Sequence, residues 1–211
     1  MSSRGDSGQA FPIYIVVVAG LLFLAFAYLA VGQAATNRNG AQTAADAAAL
    51  AAAQDTRDQL AGAWVTDVLD PTKWQDIFDG RIPLTPSCPR AFQLAGQNDA
   101  HVERCELSGL LGYTVDVKSD KPVGDSIVPG TENTYSTASA TAVIEPLCTF
   151  EPPDEGTGDD TGQGPGGDTG QDAGDDVLPR LSCKDRNWDL DPKDLGELPQ
   201  PEDLFDVHLA D

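Results

Sequence analysis

The strongest constraint on the fold of this chain is an uncharged, apolar run near the N-terminus. No residue between positions 7 and 37 carries a charge, and residues 11–31 read FPIYIVVVAGLLFLAFAYLAV. At about 1.5 Å per residue, a helix of this length crosses a hydrocarbon core of about 30 Å. We therefore predict a transmembrane helix over residues 10–33, preceded by a cytoplasmic N-terminus at residues 1–9.

Two alternatives compete with a membrane anchor. A cleaved signal peptide has an apolar region of about 7 to 15 residues behind a basic start, whereas here only Arg4 precedes a longer run. A buried helix of a soluble protein would need a large partner core, which the acidic remainder of the chain does not provide. The length of the run favours a retained, single-pass anchor.

The charge balance restricts the function. The chain has 34 acidic and 13 basic residues among 211, a net charge of -21. Nucleic-acid binding needs a basic surface, so we expect no nucleic-acid partner. With two histidines, His101 and His208, we also expect no metal site and no cofactor.

An enzyme is the weaker hypothesis. The densest ionisable cluster comprises Asp99, His101, Glu103 and Glu106. A period of two would place the first three on one strand face, but no nucleophile or metal partner accompanies them. We therefore predict a non-enzymatic protein.

Cysteine usage indicates the compartment. All four cysteines, Cys88, Cys105, Cys148 and Cys183, follow the apolar run, and no CxxC motif is present. An even number in this setting is typical of disulfides formed outside the cell, which places the N-terminus in the cytoplasm and the C-terminal domain outside the cell membrane. Three pairings are open, and we favour Cys88–Cys105 with Cys148–Cys183 because each bridge then closes a local loop.

An alanine-rich segment follows the apolar run. Residues 41–53 contain nine alanines in thirteen positions, and no Gly or Pro occurs again until Gly62. Alanine is the best helix former, so we predict an extracytoplasmic helix over residues 34–70. A stripe of small residues at helical spacing (Ala41, Ala45, Ala48 and Ala52) predicts a packing surface, while Gln42 and Asp46 are expected to face water. Packing against the chain's own domain and packing against another subunit are both open.

The segment at residues 42–50, QTAADAAAL, carries a family resemblance. It resembles the QxAADAAAL stretch that follows the membrane helix in TadG-like and TadE-like proteins of tight-adherence (Flp) pilus systems, and Gly8-Gln9-Ala10 before the apolar run reinforces the resemblance. It implies a pilus-assembly or minor pilin-like component whose partners are the membrane and other pilus or pilus-assembly subunits, bound through helix packing, with a homo-oligomer also open. The motif residues are Gln42, Ala44, Ala45, Asp46, Ala47, Ala48, Ala49 and Leu50.

One position departs from a processed pilin. Prepilins of this system are cut after a Gly that is followed by four residues and then Glu-Tyr, and counting from Gly8 places Ile13-Tyr14 there. The missing carboxylate would neutralise a buried amine in a filament, and an unpaired buried charge is costly. Ile13 therefore favours a retained anchor over a filament subunit.

The remainder predicts an α+β fold with a small antiparallel β domain at residues 71–150. Residues 113–118 alternate in polarity, residues 134–144 are rich in Thr and small apolar residues, and residues 101–107 are a third strand with Cys105 and Leu107 facing inward. A short helix over residues 62–79 is interrupted at Pro71. It contributes Trp64 and Trp74 to the core.

The amino-acid composition changes twice in the C-terminal third of the chain. Residues 151–176 contain nine acids, no base and no large aliphatic side chain, which predicts a disordered acidic linker because such a segment cannot bury enough apolar surface to fold. Residues 177–211 regain apolar residues, and we expect this tail to dock back on the domain. A generic membrane-anchored binding module with an acidic tail is the alternative function.

Overall fold

The computed structural model describes residues 10–122, 133–151 and 178–210. The predicted cytoplasmic N-terminus and all but the first residue of the predicted acidic linker lie outside these ranges. The described elements, in chain order, are α1 (Ala10–Thr66), a 3-10 turn (Pro71–Lys73), α2 (Trp74–Phe78), α3 (Cys88–Gln97), β1 (Ala100–Leu107), β2 (Gly112–Pro122), β3 (Tyr135–Pro146), β4 (Cys148–Thr149), β5 (Leu181–Cys183), β6 (Asn187–Trp188), α4 (Pro201–Leu204) and β7 (Phe205–Leu209).

Helix α1 unites the two predicted helices. It contains 57 residues without a break, which corresponds to about 85 Å at the usual rise per residue. It ends at Thr66, four residues before the predicted boundary, and Pro71 opens the turn that follows. Since the residue before a proline disfavours helical backbone, this part of the chain turns away there. The predicted helix at 62–79 is therefore divided between the end of α1 and the separate α2.

The main sheet is antiparallel and four-stranded, with the order β1-β2-β3-β7. The three predicted strands are present. Val115 pairs with Ala140 and Val117 with Ala138, which places apolar side chains of both strands on the face that α1 covers. The fourth strand comes from the C-terminal tail, where Val207 pairs with Ile144 of β3. The tail is thus an integral part of the domain.

Strand β1 differs from the prediction at its end. Cys105 pairs with Val115 and Leu107 with Tyr113, so register places both residues on the inner side of the sheet. Cys105 packs against the core, but Leu107 is 64% exposed. The expectation that Leu107 joins the inward-facing core is therefore not met, because Leu107, the last residue of β1, lines a cleft that the described chain leaves open.

Two disulfides staple the fold, in the pairing that the sequence favours. Cys88–Cys105 joins the first residue of α3 to β1. Cys148–Cys183 joins β4 to β5, which belong to a second, three-stranded sheet of order β4-β5-β6. This bridge connects chain segments on either side of the acidic stretch and restrains the tail.

An aromatic cluster closes the domain at the end of α1. Trp64 and Trp74 are fully buried, with ring centroids 5.4 Å apart. Phe150 packs on Trp74 at 5.2 Å and Phe205 on Phe78 at 5.3 Å. Both tryptophans are core residues, as expected from the sequence.

Candidate functional site

The first half of α1 is an apolar surface without a partner in the described chain. The described side chains of residues 12–31 include two tyrosines, two phenylalanines and many Ile, Val and Leu residues, and nearly all are exposed. This is the one helix within the described residues that is long and apolar enough to cross a membrane. Leaving a large apolar side chain in water forfeits about 1.5 to 3 kcal/mol. The segment therefore needs an apolar environment from outside the domain.

The second half of α1 is built into the domain. Ala41, Ala45, Ala48 and Ala52 are all buried within this chain. Ala44, Ala49 and Ala53 are equally buried, so the packing face is wider than the predicted stripe. Of the two alternatives left open by periodicity, the structure has the stripe packed on the chain's own domain.

Small side chains on both α1 and the sheet allow the two to pack closely. On the sheet side, Ala140 and Ala142 of β3 are buried under α1. Alanine facing alanine lets a helix backbone approach a strand closely, and it leaves no room for larger groups. The alanine-rich composition of the helix is therefore explained by its fit to the sheet.

We predict that Ala48→Leu destabilises the domain by about 1 to 3 kcal/mol, because overpacking displaces a well-packed interface. Leu is nearly as good a helix former as Ala, so the helix itself should persist. Thermal melts followed by near-ultraviolet circular dichroism would measure the change. Gln54→Leu, at an exposed position of the same helix, is the matched control. Equal melting temperatures for the two variants would contradict the packing described here.

The polar residues of the motif connect the helix to the sheet. Gln42 Nε2 donates to Asp46 Oδ1 at 2.7 Å and to the Ser139 carbonyl of β3 at 3.3 Å. Both side chains line a small open hollow of about 250 Å³, together with Leu209 and Ala210. Gln42 is exposed, as expected, and Asp46 is half-buried. The contact with Ser139 was not predicted, since a strand that follows almost a hundred residues later supplies the acceptor.

A buried hydroxyl cluster lies further along α1. Thr56 and Ser87 are almost fully buried, with their hydroxyl oxygens 2.7 Å apart. Thr56 Oγ1 donates to the Tyr113 hydroxyl at 3.0 Å, and Gln59 Nε2 donates to Ser87 Oγ at 3.2 Å. No sequence pattern predicted this cluster. The one available signal was a Thr within an otherwise alanine-rich helix face.

An apolar cleft opens beside this cluster. We name it the hairpin cleft because the turn between β1 and β2 forms one wall, while the loop before α3 forms the other. It has a volume of about 470 Å³. Thr56, Ser87 and Tyr113 lie at its polar side, and its apolar lining comprises Ile82, Leu84, Leu107, Leu110 and the Cys88–Cys105 disulfide.

The predicted ionisable cluster forms surface pairs. His101 Nδ1 lies 2.7 Å from Asp120 Oδ1, and Asp99 Oδ2 lies 2.9 Å from Lys121 Nζ. Asp99 precedes β1, and a register irregularity between Val102 and Arg104 interrupts the alternation at Glu103. These residues and Glu106 are exposed, and none lines the hairpin cleft.

Perturbed pKa values among the described residues belong to exposed ion pairs. The hydrogen bond and charge of Asp67 raise the pKa of Lys73 above its usual value, and Asp76 and Asp79 raise the pKa of Arg81. Within the described ranges, no group of three or more His, Cys, Asp or Glu residues is placed to hold a metal ion. These ion pairs do not identify an active site.

The part of the chain that matches a known protein family lies mainly on helix α1. Residues 8–55 match the Tad family model. The description of Tad is "Putative Flp pilus-assembly TadE/G-like", and the match confirms the resemblance predicted from residues 42–50. The Tad segment spans the exposed apolar half of α1, the Gln42–Asp46 contact and most of the buried alanine face. No curated protein and no solved structure matches the chain.

Proposed function

We propose that this protein is a non-enzymatic, membrane-anchored component of a tight-adherence-type pilus or of its assembly machinery. The observation that carries the proposal is the Tad segment on a helix whose first half is apolar and exposed. The second half of the same helix is the central support of the domain. The chain thus combines an anchor and a presented domain on one continuous helix.

The helix sets the distance between domain and membrane. The apolar run ends at Val31 and the buried alanine face begins at Ala41, a separation of about 15 Å along the helix. With α1 crossing the bilayer, the domain stands just beyond the lipid headgroups. Because the alanine face is occupied internally, helix packing with other pilus subunits would use the exposed apolar half of α1.

The proposed orientation places the domain outside the cell. Both disulfides lie in the domain, and disulfides persist in oxidising compartments. The N-terminus is then cytoplasmic. A retained anchor rather than a processed pilin is supported by Ile13 at the position of the prepilin glutamate.

We predict that the intact chain is recovered from membranes and resists extraction by alkaline carbonate. Two charges in the apolar half, Leu22→Arg with Leu24→Arg, should release it, because each Arg costs about 2.5 to 3.5 kcal/mol at the centre of a membrane helix. Val65→Arg, at an exposed position near the other end of α1, is the control and should stay in the membrane. Intact-mass measurement of the recovered chain gives its N-terminus. A mature chain beginning at Gln9, or a soluble one beginning near Ala35, would contradict the retained anchor.

The role in pili is tested in the producing cells. Deletion of the gene should abolish or reduce surface pili, and the wild-type chain should restore them while the released Leu22→Arg, Leu24→Arg chain should not. Normal piliation after deletion would overturn the pilus assignment. It would favour the second candidate, a membrane-anchored extracellular binding module, which is supported by the presence of the hairpin cleft in the part of the chain beyond the Tad segment.

A further inference from the structure

We infer that the hairpin cleft is a docking site for a neutral, apolar peptide segment of another protein, whose backbone carbonyl accepts a hydrogen bond from Tyr113. The inference goes beyond the proposed function, and only its exclusion of a lipid occupant rests on the membrane anchor proposed there. It rests on the directed hydroxyl chain at the polar side of the cleft, on the uncharged lining and on two exposed leucines at the rim.

The hydroxyl chain leaves one proton without an acceptor. Thr56 donates its proton to Tyr113, so the proton between Ser87 and Thr56 must come from Ser87. Ser87 in turn accepts from Gln59 Nε2. Among the described residues, the Tyr113 hydroxyl then accepts one bond and donates none, although the side chain is almost fully buried and lines the cleft.

This arrangement calls for an acceptor on the occupant. A buried donor without a partner costs about 1 to 3 kcal/mol, and consecutive hydroxyls polarise one another so that the last donor is strengthened. The cleft lining contains no carboxylate and no basic side chain among the described residues. A charged group would therefore enter without a counter-charge, whereas a neutral carbonyl satisfies the donor.

The rim indicates that the occupant is larger than a small molecule. Leu107 and Leu110 are 64% and 60% exposed and stand on the hairpin that forms one wall. Leu107 lies on the inner side of the sheet by register, opposite Tyr113. This is a continuation of the core face that the chain itself leaves open. A peptide segment that seats one side chain in the cleft would cover both leucines.

The proposed partner is a protein other than this chain, and a lipid is excluded. A second copy of this chain also carries a net charge of -21, and like-charged molecules repel at close approach. Thr56 at the cleft lies 25 residues beyond Val31, about 37 Å along α1. A lipid tail in a bilayer spanned by the apolar half of α1 cannot reach that far.

The test uses the full chain in lipid nanodiscs with carbon-13 labels on the isoleucine δ-methyl groups. The probe is N-acetyl-leucine N-methylamide, which carries one apolar side chain between two carbonyls. Ile82 lines the cleft and Ile144 lies in the core away from it. We expect a saturable shift of the Ile82 methyl signal and no shift of Ile144.

Three variants separate the contributions. Leu107→Ser with Leu110→Ser should weaken probe binding about tenfold or more, since two apolar contacts are lost. Tyr113→Phe should weaken it about 2- to 10-fold, the range of one neutral hydrogen bond. Leu69→Ser, which removes an exposed leucine that does not line the cleft, is the control and should bind the probe like the wild type.

Each contrary result overturns the inference. The peptide site is excluded when the Ile82 methyl does not respond, or when all three variants bind the probe equally. An unchanged affinity in Tyr113→Phe excludes the proposed carbonyl contact. A shift of Ile82 that follows the lipid composition of the nanodisc, without the probe, assigns the cleft to lipid instead.

Discussion

Truncation of the chain after Gln200 should leave the domain unfolded. The removed segment contains Leu204 and Phe205, both fully buried, and β7, which pairs with β3 over five residue positions. Burial of the two side chains alone contributes about 1.5 to 3 kcal/mol each. The total free energy of unfolding of a domain is about 5 to 15 kcal/mol. Losing the two side chains and the strand ladder together therefore removes most of the stability.

The measurement is denaturant unfolding followed by tryptophan fluorescence, since Trp64 and Trp74 report on the core that Phe205 completes. A chain truncated after Leu209 is the matched control. It retains β7 and loses one backbone hydrogen bond, from the amide of Ala210 to the carbonyl of Thr141. A cooperative transition at the wild-type midpoint in the chain ending at Gln200 would show that the tail is dispensable.

Trp74→Ala should destabilise the domain by about 3 to 5 kcal/mol, the usual cost of deleting a large buried aromatic side chain. Trp74 is fully buried between Trp64 and Phe150. Its indole Nε1 also donates to the carbonyl of Asp67 at 3.1 Å, just beyond the end of α1. The substitution thus leaves a cavity and frees the carbonyl that helps to fix the turn into α2.

Trp74→Phe separates the two effects, because it retains an aromatic ring while removing the hydrogen-bond donor. We expect a smaller loss for this variant, measured as the free energy of unfolding in urea. Leu69→Ala, at an exposed position in the same turn, should change stability by no more than about 0.5 kcal/mol. A Trp74→Ala loss as small as that of Leu69→Ala would mean that the aromatic cluster does not stabilise the domain.

Both predictions concern the part of the chain that the Tad segment does not cover. The family match ends at residue 55, yet the alanine-rich half of the helix that it covers is buried against strands formed by residues 112–122, 135–146 and 205–209. The Tad helix therefore cannot keep its alanine face covered without the domain. The domain in turn loses its central support without the helix.

The sequence by itself determined the features that depend on neighbouring residues. The apolar helix follows from an unbroken uncharged run, and strands β2 and β3 follow from alternating side chains within residues 113–118 and 134–144. The resemblance to the Tad family follows from a nine-residue motif at 42–50, which lies within the segment that matches the family model. Each of these signals lies within a short stretch of the chain, where local periodicity and composition are sufficient.

Tertiary structure alone decided which surfaces meet. Periodicity marked the alanine stripe as a packing face, but only the pairing of β2, β3 and β7 brought a sheet against it. Leu107 is exposed because it lines a cleft that the fold leaves open, and the Tyr113 hydroxyl accepts a hydrogen bond from Thr56, which is 57 positions away in the sequence. Local patterns specify which side chains need burial, whereas the partner of each side chain depends on the geometry of the whole chain.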